Sequence, residues 1–226
     1  MKEKIMNKER KFINSLHNST KRNFLQRMLD DKAFCMKVAK RYAKDYWDGD
    51  RRYGYGGYKY IKGRWSNVAK KLISTYKLKS GSSILDIGCG KGFLLKEIIE
   101  INPEIEVCGI DISSYAIKKS HNDIKKKIFK FDVRKKLPFK KNQFDLAISL
   151  GTLHNFHIFE LKQILKNISS ISKSNYIMVE SYRNNQELVN LQCWALTCNS
   201  FFNTKEWLHI FKEYGYYGDY EFIYFK

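Results

Sequence analysis

This chain has no apolar run long enough to cross a bilayer, which takes about 20 consecutive residues in a helix, and its mean hydropathy is −0.50. No membrane span is expected. Nothing resembling an apolar signal region follows Met1-Lys2-Glu3-Lys4, so a cytoplasmic location is expected. The five cysteines, Cys35, Cys89, Cys108, Cys193 and Cys198, are odd in number and never in C-x-x-C spacing. A disulfide framework and a zinc site are both disfavoured. His154 and His157 have no acid or cysteine partner near them in sequence, so no metal is expected. Acidic residues are outnumbered, 23 against 42 basic ones, giving a formal charge of +19. Yet no block of five or six like charges occurs. Lysines such as Lys37, Lys70, Lys96 and Lys118 are dispersed, which favours a solvated surface over a nucleic-acid patch. Only two prolines are present, Pro103 and Pro138, and no repeat or low-complexity tract appears.

What is present is organised around Ser83-Ile84-Leu85-Asp86-Ile87-Gly88-Cys89-Gly90-Lys91-Gly92-Phe93. Ile84, Leu85 and Ile87 form the apolar run of a strand covered on both faces. The glycines permit a tight turn, and Phe93, Leu94, Leu95, Ile98 and Ile99 recur at helical spacing. A glycine turn between strand and helix is where an open α/β sheet binds a nucleoside-type ligand. The dinucleotide pattern G-x-G-x-x-G fails, because Phe93 stands where the third glycine belongs. The phosphate-loop pattern fails too, because Gly90-Lys91 is followed by Gly92. Asp86, just before the turn, favours a ligand offering amines or hydroxyls over one offering phosphate.

These residues resemble the class I S-adenosylmethionine-dependent methyltransferases, whose first motif is D-x-G-x-G-x-G. The resemblance implies an α/β, Rossmann-like, doubly wound and mostly parallel sheet with helices on both faces. It implies S-adenosyl-L-methionine as cofactor and S-adenosyl-L-homocysteine as product. Asp86, Gly88, Cys89 and Gly90 would then lie against the methionine part of the cofactor. Asp111 ends the second predicted strand about twenty residues past the turn, the distance for a ribose-binding acid, and Ile112 joins it in the cofactor set. The resemblance further implies that Asp132 takes the adenine amine, that the Val133 backbone meets the ring, and that Leu150, ending the fourth strand, lies near the methyl group. Neither an Asn-Pro-Pro-Tyr box nor a Pro-Cys pair occurs, which disfavours base-amine and cytosine-C5 methylation.

The alternation of predicted elements supports the same fold. Strands are expected within 83–87, 104–110, 124–131, 144–150, 176–180 and 220–225. Helices are expected over 64–76, 91–101, 113–121 and 161–171, and after Asn203, which with Glu206 forms a capping box. The related enzymes have seven strands ending in an antiparallel hairpin; here only one clear strand follows the last helix, and Leu196–Cys198 is the open candidate for another. Residues 1–63 read as an N-terminal helical and Tyr-Gly-rich lid. In it, Asp30 or Asp31 caps a helix whose apolar face is Phe34, Cys35, Val38, Ala39 and Tyr42, and a shorter helix spans Arg22–Met28. Residues 64–226 read as the catalytic domain, with an insertion around 184–203.

For chemistry, His154 is the candidate general base, since an imidazole near pKa ~6.5 takes a proton at neutral pH. Tyr55, Tyr58 and Arg64 in the Tyr-Gly-Arg stretch, with Tyr182 and Arg183 after the fifth strand, are the candidate acceptor-binding residues. Arginine beside tyrosine suits a carboxylate or phosphate. The expected reaction is O-methylation of a small anionic molecule. The tyrosine-rich stretch also resembles methyltransferases of bacterial surface-polysaccharide clusters, including those acting on phosphoramidate groups. The alternatives are an RNA methyltransferase using the basic surface and a non-catalytic cofactor-binding partner subunit.

Overall fold

The computed structural model describes residues 8–226. Its centre is a six-stranded sheet of β1 (Ser83–Ile87), β2 (Glu106–Asp111), β3 (Ile128–Lys130), β4 (Phe144–Leu150), β5 (Ser172–Glu180) and β6 (Asp219–Ile223), in the order β3-β2-β1-β4-β5-β6. Every neighbouring pair is parallel. The order reverses between β1 and β4, so a crevice opens above the carboxyl ends of those two strands.

Alternation within each strand builds two cores. Leu85, Ile87, Ala147, Ile177 and Val179 face a layer formed by α8 (Ile158–Ile171) and α10 (Thr204–Glu213), where Leu161, Ile164, Leu165, Ile168, Trp207 and Phe211 are buried. Ile84, Leu146, Ile148 and Tyr176 face the other layer, of α5 (Ser66–Thr75) and α6 (Phe93–Ile101), through Val68, Leu72, Leu94, Leu95 and Ile98. The capping box of Asn203 and Glu206 forms as its sequence requires.

The N-terminal residues join this body. Glu221 is fully buried in β6 and accepts hydrogen bonds from the backbone N–H groups of Phe12, Ile13 and Asn14 at 2.6–2.9 Å and from the Tyr176 hydroxyl. It thereby fixes the start of α1 (Asn14–Asn18), placing a carboxylate where a helix offers free amides. The chain continues through α2 (Phe24–Leu29), α3 (Lys32–Ala39) and α4 (Lys44–Asp48) across the top of the sheet. The cap of α3 is Asp31, whose side chain accepts from the Phe34 N–H.

Several expectations are corrected. Among the described residues there is no antiparallel hairpin: Leu196–Cys198 is irregular, and β6 pairs parallel to β5. β5 begins at Ser172, directly at the end of α8, because Ser174 and Asn175 pair with Leu146 and Ala147 despite their polarity. Helix α3 stops at Ala39, and Tyr42 turns away from its face with φ +49°. Phe34 is exposed rather than packed. The insertion contains α9 (Asn185–Trp194) and a return segment pinned to the loop after β4, where Asn199 and Ser200 N–H groups donate to the His154 carbonyl at 3.0 Å. Among the described residues no helix is long and apolar enough to cross a membrane.

Candidate active site

Above the switch point lies a cavity of about 440 Å³, within the range of about 300–1,000 Å³ usual for small-molecule sites. Its floor is Ile87, Gly88, Ile110, Leu150 and Gly151, where β1, β2 and β4 end. Asp111, Ile112, Phe131, Asp132 and Val133 form one wall, and Thr152 and Asn155 the opposite one. Tyr42, Tyr46, Trp47 and Tyr55 form the roof, and Thr197 and Asn199 close the side.

The glycine turn is held from below and above. Gly88 and Cys89 N–H groups donate to the Ile110 carbonyl, and Gly90 N–H donates to Asp111 Oδ2 at 2.7 Å. Gly90 has φ +56°, and a Cβ there would lie 2.6 Å from the Trp47 ring. Only glycine allows both this conformation and the approach of that indole. Trp47 is fixed by donating from Nε1 to Ser113 Oγ at 3.0 Å and by stacking on Tyr55, with ring centroids 5.2 Å apart and planes 4° from parallel. Lys91 is buried and donates to both Asp48 oxygens and to the Tyr58 carbonyl, each at 2.7 Å.

Asp111 is buried and accepts from Gly90 and Ser113 N–H groups, one bond to each oxygen, at 2.7 Å. Burial raises its pKa, with those amides acting the other way. Asp86 lies beneath the turn and is 4% exposed; its Oδ1 has no hydrogen-bond partner. Burial first, and the neighbouring Asp111 second, push its pKa up to about 8. Asn155 lines the cavity and also carries a buried oxygen without a partner, Oδ1, while its Nδ2 donates to the Gly151 carbonyl.

These features fit a nucleoside-type cofactor carrying donors. The Asp111 carboxylate has lone pairs left for ribose hydroxyls. Ile112 and Phe131 offer apolar surface beside it. The orphaned Asn155 Oδ1 would accept from an amine or hydroxyl, and a buried acceptor left alone is costly.

A family model described as a methyltransferase domain matches residues 78–215. The chain belongs to the class I S-adenosylmethionine-dependent methyltransferases. Its cofactor is S-adenosylmethionine. It is 29% identical over 161 residues to the uncharacterised protein MJ1252 of Methanocaldococcus jannaschii, covering 68% of this chain and 59% of that one. It is 28% identical over 115 residues to the malonyl-[acyl-carrier protein] O-methyltransferase of Bacillus anthracis, covering 46% and 42%. The chain thus spans less than two thirds of the curated relatives it matches. The geranyl diphosphate C-methyltransferase of Streptomyces coelicolor A3(2), solved with Mg2+, geranyl diphosphate and S-adenosyl-L-homocysteine, shares the fold. Its TM-score is 0.51 at 13% identity, covering 64% of this methyltransferase and 59% of that chain.

Of the residues singled out in the sequence, Gly88, Asp111, Ile112, Asp132, Val133, Leu150 and Tyr55 line the cavity. Asp132 does so with its carboxylate gripped by Arg134, at 2.9 Å from Nε to Oδ1 and 2.7 Å from Nη2 to Oδ2. Asp86, Cys89 and Gly90 shape the turn without lining the cavity. Cys89 points at Gly109, and burial raises its thiol pKa well above the ordinary value.

Other candidates lie elsewhere. His154 is buried beneath the rim: its Nδ1 accepts from the Glu180 N–H at 3.2 Å, and its Nε2 lies 3.4 Å from Glu180 Oε2. Burial lowers its pKa, and the Glu180 charge only partly opposes this. A neutral ring with both nitrogens engaged braces the loop after β4; it does not face the cavity. Tyr58 packs between Tyr55 and Phe93, and Arg64 is exposed outside the cavity. Arg183 is paired with Glu187 and lies 4.1 Å over the Tyr224 ring. Tyr182 packs with Leu191 and Phe225.

Sequence reasoning missed Tyr42, Tyr46, Asn155, Thr197 and Asn199. The first two stood in a segment read only for helix periodicity. The last two reach the cavity through the irregular return of the insertion, which carries no local signal.

Proposed function

We propose that this methyltransferase acts on a small anionic acceptor, and that the acceptor atom is oxygen. A phosphorylated or phosphoramidate precursor of a surface polysaccharide is one such molecule. The observation that carries this reading is the roof. Tyr42, Tyr46, Trp47 and Tyr55 above, with Thr197 and Asn199 at the side, enclose the cavity, which suits a small molecule better than a polymer. Lys40 and Arg41 stand among its lining residues without a carboxylate partner and favour negative charge, whereas Arg134 is taken by Asp132 and Glu160.

S-adenosylmethionine, when bound, supplies a methyl group already activated by its sulfonium. The task left to the protein is to bind, align and exclude water, and alignment alone is worth roughly 7–11 kcal/mol. Asp111 would hold the ribose hydroxyls. The orphaned Asn155 Oδ1 would orient a donor of the cofactor, and the aromatic roof would keep water out. An ionised carboxylate or phosphate oxygen has no proton to lose, so it needs no general base. This agrees with a site in which His154 serves the loop and not the cavity.

The test is incubation with S-adenosylmethionine and matched panels of small carboxylates, phosphates and their neutral esters, with methylated product read by mass. Methylation of the anionic members supports the proposal. Methylation confined to neutral or polymeric acceptors contradicts it.

A further inference from the structure

Three guanidinium groups meet around one indole, Trp194, and an ammonium group binds the carbonyls on either side of it. The guanidinium carbons of Arg27, Arg51 and Arg22 lie 4.9, 5.1 and 5.4 Å from the Trp194 ring centroid. Lys32 completes the group, donating to the Cys193 and Ala195 carbonyls at 2.7 and 2.6 Å. The cluster has no counterpart elsewhere among the described residues. Arg10, Arg134 and Arg183 are each paired with a carboxylate, but none of these four is. Their bonds go to backbone carbonyls and, for Arg22, the His17 ring: Arg27 to Arg51, Arg51 to Gly54, Arg22 to His17 and Thr20. Of the carboxylates that act on them, Asp30 is engaged by Arg52, and Glu180, which stands against the neutral His154 ring, offsets only part of the charge on Arg22 and Lys32. Arg22 Nε is buried and has no partner.

Charge of one sign that is only partly compensated, on Arg22, Arg27 and Lys32 half withdrawn from water beside exposed Arg51, is costly unless a counter-ion completes it. The strain registers in the groups themselves. Burial and the charge of Arg51 lower Arg27, and burial and the charge of Arg27 lower Lys32 to about 8; burial lowers Arg22, with Glu180 opposing it and Arg51 adding to it, and burial alone lowers Arg51, with Tyr55 and Tyr46 opposing it.

The segments that carry the cluster run on to the cavity, although the cluster itself does not line it. Arg51 lies four residues before Tyr55, and the Ala195 carbonyl that holds Lys32 lies two residues before Thr197; both Tyr55 and Thr197 line the cavity. At no more than about 3.6 Å per residue, Arg51 lies at most about 14 Å from Tyr55 and Ala195 at most about 7 Å from Thr197 along the chain.

We propose that Arg22, Arg27, Lys32 and Arg51, gathered on Trp194, form the subsite that binds the anionic group of the methyl acceptor. This inference rests on the acceptor reading above and gives it a location. Guanidinium forks match the oxygens of phosphate and of carboxylate, and Trp194 holds three of them in register by cation–π contact.

The experiment is calorimetric titration of the full chain with inorganic phosphate and, separately, malonate at fixed ionic strength, with and without S-adenosylhomocysteine. It is repeated for Arg27→Gln, Arg51→Gln and the charge-preserving Arg27→Lys. The subsite predicts binding of at least one anion, weakened about tenfold or more by either glutamine variant and within about threefold of wild type in Arg27→Lys. Whichever anion binds more tightly identifies the group. S-adenosylhomocysteine affinity should stay within about twofold throughout. Anion binding that is absent, or unchanged by both glutamine variants, overturns the subsite. So does binding of a single-stranded RNA oligonucleotide, lost in the same variants, with neither small anion bound. Loss of S-adenosylhomocysteine binding by the wild type would instead strike at the cofactor site, so the two failures are distinguishable.

Discussion

Lys91 Nζ donates to both oxygens of Asp48 at 2.7 Å, so the residue following the second glycine of the turn anchors the roof of the site. Tyr115 adds its hydroxyl to Asp48. Lys91 is 4% exposed, and its charge has no other carboxylate.

Asp48→Asn should therefore be costly. It leaves a buried ammonium with weakened partners, for which losses of about 3–5 kcal/mol are typical in fully buried pairs. Because Asp48 is partly exposed, about 2–3 kcal/mol is expected. Adding Lys91→Met should recover part of the loss. Urea unfolding of the single and double variants checks this; a double variant as destabilised as the sum of the singles would show that the pair does not act as a unit.

Gly90→Ala should weaken S-adenosylhomocysteine binding at least tenfold. The new Cβ would sit 2.6 Å from the Trp47 ring at a positive φ, which also costs about 1 kcal/mol of backbone strain. In a Trp47→Ala background the clash disappears and only the backbone cost remains. A titration in which Gly90→Ala is equally harmful with and without Trp47 would separate the turn from the roof.

Much of this architecture was legible beforehand. The glycine turn, the acid ending β2, and the succession of strands and helices along the chain follow from apolar runs, glycine spacing and carboxylate position, all local signals. The surroundings of His154 were not legible, because they depend on burial and on partners far away in sequence; the partner of Arg183 is local and was not weighed. Glu180 and the insertion enclose His154, and Glu187 captures Arg183 across one helical turn. The roof was half legible. Its tyrosines and glycines marked a recognition segment, but which tyrosines turn inward is set by Trp47, Lys91 and Asp48 in three dimensions. The parallel β6 likewise meets a distant segment, since Glu221 binds the backbone of residues 12–14.

Acid should weaken the fold through its buried histidines. Burial, then the Arg22 charge, lower His17 to about 4, against an opposing bond to the Tyr224 carbonyl. Burial lowers His154 as well. The unfolded chain takes up these protons near pH ~6.5 while the folded chain resists, so stability present above that pH is lost as pH falls toward about 4. The slope is at most about 1.4 kcal/mol per pH unit per histidine. Asp86, raised to about 8, acts in the opposite sense, its contribution being lost as pH rises toward 8. Comparing wild type with His17→Gln cancels that term. The stability advantage of the wild type should shrink between pH 6.5 and 4.5; a constant difference would mean that His17 titrates normally.

Asp111 carries the central claim. Because it also holds the Gly90 and Ser113 amides, Asp111→Ala would free both, and Asp111→Asn is the milder variant, keeping the shape and one of the two amide bonds while removing the charge. The decisive measurement is calorimetric titration of wild type and Asp111→Asn with S-adenosylhomocysteine, with NADH as control. The account predicts one-site binding by the wild type, a loss of about 1–3 kcal/mol in Asp111→Asn, and no binding of NADH. Equal affinity in both proteins, or binding of NADH alone, would contradict it.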